Sequence, residues 1–173
     1  SHALDQNRVS GLSFDIGVYT NISRDHMDYH PTLNDYIGAK KKLFNSLKNN
    51  AVAIVNFDDP YGEEMVRDII AKPLSYGLKG DFDFKGKIVE NNISGLSIEI
   101  DGFEMTSRLI GEFNAYNLLV VFAVAKSLGE EALTVLTIIS NLKAPDGRFE
   151  YIVSPSNVTA VIDYADTPDA LEN

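Results

Sequence analysis

The segment TNISRDHMDYHPTLNDYIGAKKKLF, Thr20 to Phe44, concentrates side chains that could do chemistry: two of the chain's three histidines, three aspartates and three consecutive lysines. Its second half repeats with a helical period, and at about 100° per residue Leu33, Tyr36, Ile37, Leu43, Phe44 and Leu47 fall within roughly 60° of Lys40. Lys40 therefore lies in the middle of an apolar stripe, whereas Lys41 and Lys42 are expected to face solvent. One reading is a lysine that lays its methylenes on the core and keeps its amine in water. The other starts from desolvation, which can lower a buried lysine's pKa by up to roughly 3–5 units. A neutral amine is a nucleophile, and carbon dioxide is an available electrophile. The resulting carbamate is an oxygen donor of the kind Mg²⁺ prefers.

His26 and His30 have the i,i+4 spacing of a helical zinc pair, but Pro31 and the surrounding turn residues argue against a helix there. A contact from one histidine to a metal–phosphate cluster is one alternative, because ligands of open α/β sheets bind beyond the carboxyl ends of the strands. Turn and cap hydrogen bonds are the plain alternative for the aspartates.

The elements that must position these groups follow from pattern. FDIGVYT (Phe14 to Thr20) and AVAIVN (Ala51 to Asn56) are expected buried strands. Thr32 to Asn49 is expected to be helical after Pro31. Asp58-Asp59-Pro60 is expected to open a helix to about Ala71, with an aspartate as N-cap. From Leu74 to Leu109 five glycines separate short alternating runs, the pattern of an antiparallel meander. Ala115 to Leu128 and Glu131 to Leu142 are expected helices, the first stopped by Gly129. TAVIDY (Thr159 to Tyr164) is an expected strand, and Pro168 opens a last helix. Both ends look cut, as in a fragment.

Composition bounds the partners. The chain has 173 residues, no cysteine, 45% hydrophobic and 23% charged residues, and a net charge of −10. The acidic balance argues against duplex nucleic acid, which needs a basic face. No apolar run approaches ~18 residues, so no membrane span is expected. The start lacks a secretory signal pattern.

Four segments in this order resemble the Mur ligase family of bacterial cell-wall synthesis: SHALDQNRVSGLSFD, TNISRDHMDYHPTLNDYIGAKKKLF, GEFNAYNLLVVFAVAKSLG, and APDGRFEYI with VIDYADTPDALEN. Within that family the pattern is most similar to the group that adds the third amino acid of the peptide stem. The resemblance implies an α/β fold: part of the family's central ATPase domain over 1–145, with a small antiparallel meander, then the start of a Rossmann-like C-terminal domain over 146–173. It implies a cytoplasmic bacterial ligase that uses ATP and Mg²⁺ to join an amino acid to a UDP-MurNAc-dipeptide through an acyl phosphate.

Residue by residue, the resemblance makes Lys40 the carbamylated catalytic lysine and His26 a partner at the second Mg²⁺. It places Ser1, Gln6 and Arg8 at the UDP-linked substrate. Asn114 and Asn117 fall at adenine, Arg148 at the phosphates and Asp163 at the ribose. Without it, the asparagines read as a helix N-cap and its neighbour, Arg148 as a surface charge, and Asp163 as a strand-end turn former. No GxxGKT-like phosphate loop occurs in this chain. Asp166 stands where the family usually carries histidine, which sets phosphate repulsion against a simple cap on the Pro168 helix. The alternatives are another Mur-type or polyglutamate ligase, or a non-catalytic substrate-binding module. A phosphate loop encoded upstream would separate ligase from module.

Overall fold

The structure is a computed structural model that describes residues 1–23, 29–156 and 158–165. His26, Asp166 and the helix expected at Pro168 lie outside the described residues. The order of elements is α1 (His2–Asp5), β1 (Ile16–Tyr19), α2 (Leu33–Asn45), β2 (Val52–Asn56), α3 (Gly62–Val66), β3 (Lys72–Gly77), β4 (Phe84–Asn92), β5 (Gly95–Ile100), β6 (Phe103–Ser107), α4 (Glu112–Ser127), α5 (Ala132–Ser140), β7 (Glu150–Val153) and β8 (Thr159–Ile162).

β1 to β6 form one six-stranded sheet in sequence order, and β7 with β8 forms a separate two-stranded antiparallel sheet. β1, β2, β3 and β4 pair in parallel, with Ile16 opposite Val52 and Val52 opposite Lys72. From β4 onward the pairing turns antiparallel through β5 and β6. A strand paired on both sides in a parallel sheet has both faces covered, and its sequence becomes a continuous apolar run. VAIVN of β2 is such a run, and its alternation divides the interior. Ala53 and Val55 face a core with Ile37 and Phe44 of α2, Leu47 and Met65 of α3. Ile54 faces a second core built from Leu118, Leu119 and Phe122 of α4 together with β5 and α5. Each large side chain fully buried in this way contributes roughly 1.5–3 kcal/mol.

Several boundaries differ from the sequence reading. Leu74 to Gly77 belongs to a parallel strand, so the meander spans only β4 to β6. The helix expected from Asp58 to Ala71 shrinks to α3, because Asp58 and Asp59 spend their carboxylates on tertiary hydrogen bonds instead of a cap. Asp68 then takes φ +64°, a left-handed conformation that ends the segment. α4 starts three residues earlier than Ala115: Gly111 is its N-cap at φ +97°, pinned by a hydrogen bond from its N–H to the Asn91 side chain at 3.0 Å. Asn114 is thus inside the helix rather than its cap. β7 was not expected as a strand; its pairing to β8 supplies the partner a lone TAVIDY strand needs.

Two glycines make opposite tests of the packing. A Cβ on Gly62 would lie 2.2 Å from the Asn56 carbonyl oxygen, which is backbone and cannot yield, whereas a Cβ on Gly38 of α2 would meet nothing within 4 Å. Gly62→Ala is expected to lower stability by about 1–3 kcal/mol or more. Gly38→Ala is expected to raise it by up to about 1 kcal/mol, the helix-propensity gain. Urea midpoints of the two variants read both signs.

Candidate functional site

α2 begins with a reciprocal cap. The Asp35 N–H donates to Thr32 Oγ1 at 3.2 Å while the Thr32 N–H donates to Asp35 Oδ2 at 3.1 Å, which fixes the helix's entry and satisfies two otherwise orphan donors. One turn on, Tyr36 is buried, and the half-buried Lys40 holds its Nζ 5.0 Å from the Tyr36 ring centroid. The apolar stripe expected around Lys40 is present: Tyr36, Ile37, Phe44 and Leu47 are buried. Lys42 is half exposed and donates to Asp5 at 2.6 Å. Lys41 does not face solvent as expected. Its side chain is only 18% exposed and pairs with Glu64 at 2.8 Å, because α3 packs against that side of α2.

The expected substrate residues Ser1, Gln6 and Arg8 sit in or just beyond α1, which packs on α2. Gln6 Nε2 donates to the Tyr29 hydroxyl at 3.3 Å, and that hydroxyl donates to Asp5 Oδ2 at 3.0 Å. The hydrogen bonds from Lys42 and then Tyr29 hold the Asp5 carboxyl below its ordinary range. Ser1 lies within electrostatic reach of Lys40. Arg8 is exposed. Between α1 and the start of α2 opens a cleft of about 580 Å³, lined by Asp5, Tyr29, His30, Asn34, Asp35 and Lys42 among others. His30 is 3% exposed, and its Nε2 finds no hydrogen-bond partner among the described residues.

The loops after β1 and β2 are tied together by two aspartates. Asp59 accepts from the Tyr19 hydroxyl at 2.7 Å, from the Ile22 N–H at 3.2 Å and from the Tyr61 N–H at 2.9 Å. Asp58 Oδ2 accepts from the Leu78 N–H at 2.5 Å, the Lys79 N–H at 3.1 Å and the Tyr116 hydroxyl at 2.9 Å. Asn56 closes the set, donating to the Thr20 carbonyl at 2.9 Å and accepting from the Asp58 N–H at 3.0 Å. Sequence reading missed this network. The only available signal was an Asn-Phe-Asp-Asp-Pro run at a strand's carboxyl end, which is equally a cap signature.

The four expected nucleotide residues are drawn to one end of the molecule. Asn114 Nδ2 donates to the Ile110 carbonyl at 2.7 Å, and Asn117 Nδ2 donates to Asn114 Oδ1 at 3.3 Å, leaving Asn117 exposed with acceptor and donor capacity to spare. The Phe113 ring meets the Phe149 ring edge-on at 6.0 Å, which sets Arg148 near the start of α4. β7 pairs Glu150 with Ile162, and Asp163 follows directly after β8. The Tyr164 N–H donates to the Gly147 carbonyl at 2.9 Å and closes that end. Arg148 and Asp163 are both exposed. Among the described residues no three His, Cys, Asp or Glu side chains gather as a metal site.

A mixed sheet covered by helices on both faces, with its polar networks beyond the carboxyl ends of its parallel strands, defines an α/β ligand-binding domain. Residues 1–125 match the Mur ligase middle domain, and the chain belongs to that family. Over its whole length it is 49% identical to the UDP-N-acetylmuramoyl-L-alanyl-D-glutamate–2,6-diaminopimelate ligase of Parabacteroides distasonis and 46% identical to that of Cytophaga hutchinsonii. A solved structure of a ligase with the same name superposes with a TM-score of 0.80 at 33% identity, over 98% of this chain and 36% of that one. The chain spans about a third of the length of these curated relatives, 36% in each case.

Three wholly or partly buried tyrosines give this region a pH signature. Burial first, then the hydrogen bond to Asp59, raises the Tyr19 phenol well above the ordinary value of 10.0; burial and Asp59 raise Tyr76, and burial and Asp58 raise Tyr116. The folded state holds these protons more tightly than the unfolded chain, so their contribution is intact below pH 10 and is lost as pH rises beyond it. Urea unfolding is expected to be level from pH 7 to 9 and to weaken above about pH 10. Tyr19→Phe should flatten the alkaline fall; an unchanged slope would contradict the assignment.

Proposed function

We propose that this chain is part of an ATP-dependent ligase that joins an amino acid, diaminopimelate or lysine, to UDP-MurNAc-L-Ala-D-Glu in peptidoglycan synthesis. The observation that carries the reading is the match along the whole chain to ligases of that name, the nearer of the two at 49% identity. In this reading, 1–145 is part of the central ligase domain and 146–173 begins the C-terminal one. The protein works in the bacterial cytoplasm. The absence of a membrane-length apolar helix among the described residues is compatible with that.

The reaction is a phosphoryl transfer followed by amine attack. ATP phosphorylates the D-glutamate carboxylate of the substrate, releasing ADP, and the incoming amine then displaces phosphate from the acyl phosphate. Such chemistry is governed by positioning and charge neutralisation. Mg²⁺ would supply neutralisation of the phosphate oxygens when bound. Lys40, as its carbamate, offers that ion a hard oxygen donor, and His26 is proposed beside it. The half-buried setting of Lys40 on an apolar helix face supports this role, since burial disfavours the ammonium form.

The other residues bind and orient. Ser1, Gln6 and Arg8 hold the UDP-linked substrate from α1, on the same side of the sheet as Lys40. Asn117 faces adenine while Asn114, already bonded to Ile110, fixes its orientation. Arg148 neutralises phosphate charge and Asp163 accepts from ribose hydroxyls. Arg148, Asp163 and the asparagines being drawn to one end by the Phe113–Phe149 contact supports assigning them one ligand.

In the intact enzyme Lys40→Ala is expected to abolish ligation, with partial recovery on adding short carboxylates; wild-type turnover in that variant would sink the reading. Arg148→Ala should raise the ATP KM or lower kcat by roughly tenfold or more. The 173-residue chain by itself, which holds no phosphate loop, should bind ATP weakly or not at all, and micromolar binding by calorimetry would contradict this.

A further inference from the structure

Lys40 and Tyr36 lie one helical turn apart on α2, and the Lys40 Nζ stands 5.0 Å from the centroid of the Tyr36 ring. That is within the distance at which the electron-rich face of a ring attracts a cation. A mobile tyrosine would lose rotamer freedom by making this contact. Tyr36 is already held: it is 4% exposed, and the His30 ring stacks on it at 5.2 Å and 28°. His30 is wedged in turn, with the His2 ring stacked at 5.9 Å and the Tyr29 ring edge-on at 4.8 Å. The rings of His2, His30 and Tyr36 thus form one run of aromatic contacts, and that run ends at the lysine.

We infer that Tyr36 is a positioning residue that holds unmodified Lys40 as an ammonium on its ring face and so opposes carbamylation until the side chain is drawn away. The inference rests on the reading of Lys40 as the carbamylated lysine. In that modification the ammonium gives up a proton, the freed lone pair of nitrogen bonds the carbon of CO₂, and one C–O π pair moves onto oxygen. A second proton then leaves nitrogen. One CO₂ is consumed, two protons are released, and the group changes from +1 to −1. The ring face that attracts the reactant repels the product. The range found for such contacts corresponds to roughly a two- to thirtyfold bias toward the unmodified lysine.

The test uses the intact protein with ¹³C-labelled bicarbonate and follows the carbamate carbon by NMR at fixed pH. Three forms are compared: wild type, Tyr36→Phe, and a protein carrying pentafluorophenylalanine in place of Tyr36. The fluorinated ring keeps the shape of phenylalanine but reverses the sign of its face, so packing on His30 is retained while the cation contact is lost. Half-saturation is expected at roughly two- to thirtyfold lower bicarbonate in the fluorinated form than in Tyr36→Phe, with Tyr36→Phe close to wild type. Without bicarbonate the fluorinated form is expected to melt below Tyr36→Phe, because the lost contact belongs to the unmodified lysine, and the gap is expected to close as bicarbonate saturates; a gap that ignores bicarbonate would mark a merely structural role. Carbamate on wild type with the same half-saturation in all three overturns the inference alone. No carbamate on wild type overturns the reading of Lys40 and the inference with it.

Discussion

The structure depends on one constraint: β2 is buried on both faces. Ala53, Ile54 and Val55 have no solvent exposure at all. Alternate side chains of a strand point to opposite faces, so helices must cover both. α2 and α3 meet Ala53 and Val55, while α4 meets Ile54. The two groups of proposed functional residues inherit that division. Lys40 and the α1 residues lie with the first layer, and Asn114 and Asn117 lie on the second. A ligand touching both groups must pass beyond the strand ends, where Asn56, Asp58 and Asp59 gather the loops.

Those aspartates do the joining. Asp59 ties the end of β1 and the Ile22 backbone to the loop after β2. Asp58 ties the same loop to the residues after β3 and to Tyr116 of α4. Each carboxylate receives three donors, and hydrogen bonds to a carboxylate are stronger than those between neutral groups. Tyr116 sits between the two asparagines in sequence, so the bond from Tyr116 to Asp58 also fixes the rotation of the helix that presents them.

Much of this was legible in the residues. β2 announced itself as an unbroken apolar run, and the stripe around Lys40 was readable at 100° per residue because α2 is regular and capped at Thr32. What failed had physical causes. Asp58 and Asp59 looked like caps because a carboxylate before Pro60 has the same local signature whether its acceptor capacity is spent on its own helix or on distant N–H groups. Lys41 looked solvent-facing because helical periodicity says nothing about a second helix arriving with Glu64. Asn114 looked like a cap because nothing local shows that Gly111, pinned by Asn91 from another strand, would start α4 a turn earlier. The ring stack of His2, His30 and Tyr36 joins residues up to 34 positions apart, and no periodicity encodes it.

The division of the interior by β2 also bears on how such a protein can change over time. The two cores lie on opposite faces of the sheet, and no side chain belongs to both. Substitutions that lie more than about 7–10 Å apart without common partners combine additively in their effects on stability. The layer around Phe44 and Met65 can therefore accumulate volume changes without a matching adjustment around Phe122 and Leu119. A lineage could remodel the wall behind Lys40 for a new substrate while the layer behind the asparagine pair keeps its shape, each side drifting at its own pace.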